Sequence, residues 1–155
     1  MTTNEDIQQF LNGLIPTDWF LAPVTVQFDD DEILVIGSVA SERGIDEFRD
    51  ATRHDRMAIA DQVERHFARK VSWGVSQGDA TALFTTYSPP ITTRLRLSER
   101  AVLDTLVRAG VARSRSDALG WCVKLVARHE ADWLSNLRDA LVDVERVRDS
   151  GPSTK

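Results

Sequence analysis

Apolar residues recur near the start of the chain at Ile7, Phe10, Leu11 and Leu14, the spacing of one helix face, so a helix is predicted over 6–14. Pro16 ends it. The run Val24 to Phe28 alternates in the manner of a strand, Asp29-Asp30-Asp31 marks a turn, and Ile33 to Ile36 returns as a second strand. From Ile45 to Lys70 the period is helical again, with Ile45, Phe48, Ile59, Val63 and Phe67 on one side and a break near Thr52 to His54. Two further strands, Val71–Val75 and Thr81–Tyr87, flank Gln77-Gly78-Asp79 and read as a hairpin. The order α-β-β-α-β-β predicts a small α+β domain with a mainly antiparallel sheet and segregated helices.

Ser88-Pro89-Pro90 interrupts this pattern, because consecutive prolines cannot continue a helix. The boundary is therefore predicted there, with one domain over 1–88 and a second over 91–149. In the second, Ile91 to Leu97 alternates: Thr93, Leu95 and Leu97 share one face of a strand, and Thr92, Arg94 and Arg96 share the other. Ser98 is the expected N-cap of a helix carrying Val102, Leu103, Leu106 and Val107, which Gly110 closes. Ser114 and Asp117 have capping-box spacing at the start of another helix through Leu119, Cys122, Val123 and Val126. The apolar stripe then continues through Trp133, Leu134, Leu137, Leu141 and Val144, after a kink expected at 129–132. The end, from Ser150 to Lys155, is expected to fray.

The 155 residues carry a formal charge of −5 and 42% apolar residues, enough for a packed core. The charge is unevenly placed. Residues 1–88 hold seven Arg or Lys against fifteen Asp or Glu, a balance of −8, whereas 89–155 hold twelve against nine, a balance of +3. Within 91–128 the balance reaches +5. Such asymmetry points to a nucleic-acid surface on the second half. No apolar run is long enough for a membrane span, and the first residues are polar and acidic without a leader-like apolar core, so a cytoplasmic protein is expected. Cys122 is expected to pack as a small hydrophobe.

Strand, helix, turn, and Ser114-Arg115-Ser116-Asp117 opening a second helix together resemble the ribbon-helix-helix proteins, the group of the Arc and Met repressors, over residues 91–128. The resemblance implies an obligate homodimer in which two strands pair antiparallel, with Leu95, Leu97, Leu103, Leu106, Leu119 and Val123 in the shared core. It implies a ribbon in the major groove of double-stranded DNA, with Thr92, Arg94 and Arg96 reading bases. Each arginine bidentate to guanine contributes roughly 1–3 kcal/mol of discrimination. Ser114, Arg115 and Ser116 would hold a phosphate at the start of the second helix. The implied function is a DNA-binding transcriptional regulator, with higher oligomers along DNA compatible with it. The acidic domain ahead of the strand departs from the usual layout of that group.

Catalysis finds little support. His54, His66 and His129 lack partners at metal-ligand spacing, and no phosphate loop or nucleophile motif is present, so neither an enzyme nor a cofactor or metal is expected. Another reading stays open: Arg94 and Arg96 are ordinary edge-strand charges, residues 91–149 only dimerise the chain, and the acidic domain binds a protein or small ligand. Trp19, Phe20 and Trp73 are then its candidate contacts.

Overall fold

Thr3 caps the first helix. Its hydroxyl accepts from Asp6 N while the Asp6 carboxylate accepts from Thr3 N at 2.8 Å, a reciprocal box that starts α1 (Asn4–Asn12) ahead of the expected residue 6. A computed structural model describes residues 2–152, and the chain divides between Ile91 and Thr92 into two compact units. Of the end expected to fray, Ser150 closes the last helix and Gly151 and Pro152 follow it; 153–155 lie outside the described residues.

The N-terminal unit is α+β, with the predicted order of elements. Strands β1 (Thr25–Phe28) and β2 (Glu32–Ser38) form a hairpin. In its turn Asp29 Oδ1 accepts from Asp31 N and Glu32 N, so the acidic tip is an Asx-type turn. Helices α2 (Ile45–Ala51) and α3 (Arg53–Phe67) are broken at Thr52, whose hydroxyl donates to Phe48 O at 2.7 Å and accepts from Arg56 Nε. Strands β3 (Lys70–Gln77) and β4 (Ala80–Leu83) form the second hairpin, with Gly78 at a φ of 60° in the tight turn.

The sheet order is β1-β2-β3-β4. Its outer pairings are antiparallel, as the hairpins require. The central pairing of β2 with β3 is parallel, running from Glu32↔Lys70 to Ser38↔Ser76, because α2 and α3 form the crossover between these strands. Helix α1 lies against β1, α3 lies against β3, and the two helices touch, so they cover the same face. Ile33, Val35, Trp73, Val75 and Val26 bury that face with Ile7, Leu11, Phe48 and Val63. Each such side chain contributes roughly 1.5–3 kcal/mol on full burial. The last strand stops at Leu83, short of the expected Tyr87. Phe84 turns into the core, and Thr85 Oγ1 accepts from Trp73 N at 2.9 Å in place of a ladder bond.

The C-terminal unit consists of α4 (Leu97–Arg108), α5 (Arg115–His129) and α6 (Ala131–Ser150). Its buried apolar residues, among those described, are Leu103, Ala112 and Ala118, with Leu95, Leu106, Val107, Leu119 and Cys122 packed around them. Helix α6 buries none of its side chains. No helix among the described residues is long and apolar enough to cross a membrane.

Candidate nucleic-acid interface

Residues 91–96, expected to be a strand through Leu97, carry no strand in the single chain. A strand exists by pairing, and among the described residues no strand lies beside this segment. Helix α4 also begins earlier than expected. Arg96 and not Ser98 is its N-cap, because the Glu99 carboxylate reaches back to Arg96 N at 2.6 Å. Glu99, three residues beyond Arg96, was the sequence signal for this start. Leu97 consequently opens the helix and is 73% exposed.

Thr92, Arg94 and Arg96, the expected base-reading set, are all exposed. Leu103 is buried within the unit itself, and Leu95, Leu106 and Leu119 are half-buried against it. Val123, expected with Leu97 in a shared core, is 63% exposed. The six residues expected to form a dimer core thus divide into four that pack inside one chain and two that face outward.

At the start of α5, Ser114 is the N-cap, and its hydroxyl accepts from Asp117 N at 3.1 Å. Asp117 reaches back one residue further than expected and accepts from Arg113 N at 2.9 Å. Ser114, Arg115 and Ser116 are exposed at this helix start. Arg115, however, is occupied within the chain. Its Nε and Nη2 donate to the two Asp104 oxygens at 2.8 and 2.9 Å, a bidentate pair that sequence reading did not anticipate.

Those hydrogen bonds hold the Asp104 carboxyl below the usual aspartate range, with the charges of Arg115, Arg108 and Arg100 adding to the effect. Arg100, Asp104 and Arg108 are spaced four apart and share one face of α4. Three guanidiniums therefore surround one carboxylate beside the start of α5, leaving a net positive surface. Arg100 also donates to Leu95 O, tying the end of the 92–96 segment to the helix.

The alternative aromatic candidates lie elsewhere. Trp19 and Trp73 are 6% and 3% exposed, pack edge-on to each other with ring centroids 6.4 Å apart, and belong to the core. Phe20 is half-buried and packs edge-on against Trp19.

Comparison with known proteins assigns both parts of the chain. Residues 5–83 match the family described as Rv1265-like protein, N-terminal domain, and 96–148 match the Mb1296 C-terminal domain. Two relatives are 48% identical over 156 residues, covering 93% of this chain and 69% of theirs: uncharacterized protein Mb1296 of Mycobacterium bovis and uncharacterized protein Rv1265 of Mycobacterium tuberculosis. No solved structure matches. The ribbon-helix-helix assignment is thereby corrected: residues 96–148 match the Mb1296 domain and no ribbon-helix-helix family is recognised. A short degenerate order of caps and helices produced that likeness, whereas the family match extends into α6 as far as residue 148. With both its parts matched and its relatives aligned over nearly its whole length, the chain belongs to the Rv1265-like family.

Proposed function

We propose that the C-terminal unit binds double-stranded DNA as a homodimer and that the protein is a transcriptional regulator, of repressor type, with no catalytic role. The observation that carries this reading is the segment 92–96. Apart from half-buried Leu95 it is exposed and joins no strand, and it offers Arg94 and Arg96 beside Thr92 with no ion pair to either arginine among the described residues. Two copies running antiparallel would supply each other's missing backbone hydrogen bonds. Side chains of alternate residues would then lie on one outer face, and a two-stranded ribbon of this width enters a major groove.

Arg100 and Arg108 supply positive charge beside the start of α5, where Ser114 and Ser116 offer hydroxyls and free helix-end N–H groups favour a phosphate. A phosphate would compete with Asp104 for Arg115. The small core of the unit supports dimerisation, since three buried residues among those described are a meagre core for a unit of this length. A DNA-reading role implies a cytoplasmic protein, and further dimers could assemble along adjacent sites.

Selection of bound sequences from random duplex DNA by the full-length chain tests the reading. A two-fold symmetric site is expected, because a symmetric dimer reads two half-sites. Absence of enrichment at low salt, or enrichment without symmetry, overturns it.

A further inference from the structure

Helix α6 spans Ala131–Ser150 with no buried residue, although Trp133, Leu134, Leu137, Leu141 and Val144 form a continuous stripe along it. Isolated amphipathic helices owe most of their stability to packing of that stripe, so a helix of this length implies a partner. Leu134, Leu137, Leu141 and Val144 are spaced alternately three and four apart, the a and d positions of a heptad. Off the seam, Arg146 pairs with Asp143 at 3.2 Å. Arg138 and Glu145 flank the seam at its e positions, and neither has an ion pair among the described residues.

We infer that α6 pairs antiparallel with α6 of a second copy of this chain. In an antiparallel coiled coil a positions meet d positions, which sets Leu134 against Val144 and Leu137 against Leu141 of the other copy. The same register sets Arg138 of each copy about 7.5 Å along the axis from Glu145 of the other, and because side chains tilt toward their own helix N-terminus these two converge while the two Arg138 side chains diverge, giving two ion pairs by symmetry. Ala140 then falls near the two-fold axis, where a small side chain lets the helices approach. In a parallel pair the e positions would face g positions instead, here Trp133, Ala140 and Val147, and both charges would stay unpaired. Charge complementarity thus selects both the occupant and its direction. The inference is independent of DNA binding and stands if the protein never meets DNA.

Two measurements on the full-length chain test it. In a Cys122→Ala background, spin labels are placed one at a time at the outward positions through Asp132→Cys, Asp139→Cys and Arg146→Cys. Antiparallel pairing predicts the shortest distance between copies at 139. Labels at 132 and 146 should give equal, longer distances, since each pair is offset by about 21 Å along the axis. Equal distances at all three positions mean a parallel pair and overturn the inference. With Cys122 retained, Arg138→Glu or Glu145→Arg alone should weaken self-association by about tenfold, because each replaces two attractions with two repulsions. The double exchange should restore it. A double variant no better than the singles, or a chain that stays monomeric at high concentration, likewise overturns the inference.

Discussion

Asp104 shows how one residue can bear on both stability and binding. Its carboxylate joins α4 to α5 through Arg115 and offsets part of the charge of Arg100 and Arg108. Because its carboxyl titrates below the ordinary aspartate value of about 3.9, the link contributes stability above that pH. The contribution is lost as the pH falls through the lowered native value. Asp104→Asn should therefore flatten this part of the acid unfolding curve, followed by circular dichroism, while leaving neutral stability only slightly changed. The same variant frees Arg115, so under the proposed function it should bind DNA several-fold more tightly, with a steeper salt dependence. Unchanged affinity would separate Arg115 from the phosphate surface.

Gly37 is constrained in another way. A Cβ there would lie 2.2 Å from the Phe20 ring, so Gly37→Ala must displace an aromatic wedged against β2. Denaturant unfolding should show a loss of about 1–3 kcal/mol. Periodicity reveals which residues are apolar but not how close two backbones or rings approach, so this constraint was not legible in the sequence. The Asp104 and Arg115 pair was hidden for a similar reason: it joins two helices whose crossing is set by packing around Leu103 and Ala118.

At the scale of elements, helical periods were legible because Ile7, Phe48, Ile59 and Val63 are selected by burial on one face. The break at Thr52 and the hairpin turn at Gly78 were legible from local chemistry. The parallel pairing of β2 and β3 was not, since strand direction follows from the crossover and leaves no mark on alternation. The boundary of α4 shifted because a side chain cap from Glu99 outcompeted Ser98. In the segment 92–96, Thr92, Arg94 and Arg96 were legible as a polar set, but a strand there needs a partner that a single sequence does not display.

This division among leucines yields a sharper test of self-association. Leu95 packs against Leu103 inside its own unit, whereas Leu97 and Val123 face outward. Leu97→Asp or Val123→Asp should leave helix content intact and shift dimer to monomer in sedimentation. Leu95→Asp should also destabilise the unit, because it buries a carboxylate beside apolar neighbours. Equal sedimentation of the outward variants and the parent would exclude these two residues from the interface.

For the whole molecule, the two units carry different kinds of stability. The N-terminal unit has a continuous core from α1 to Phe84, while the C-terminal unit holds three buried residues among those described, none of them in α6. A unit completed by a second copy is stabilised by mass action. Hydrogen exchange resolved by segment should therefore show protection in α4 to α6 rising with protein concentration, while protection in β2 and β3 stays constant. Concentration-independent protection throughout would mean that the C-terminal unit is complete by itself. The uneven charge matches this division, with the acidic balance in the first half and the basic balance in the second.

The central claim is that the basic segment of the C-terminal unit reads DNA, and the affinity of the Arg94→Ala, Arg96→Ala double variant at two salt concentrations tests it most directly. The parent should bind a selected duplex more tightly than a scrambled one and weaken as salt rises, with the double variant still dimeric but no longer discriminating. Equal discrimination by parent and variant, or no binding by the parent at low salt, would contradict the claim.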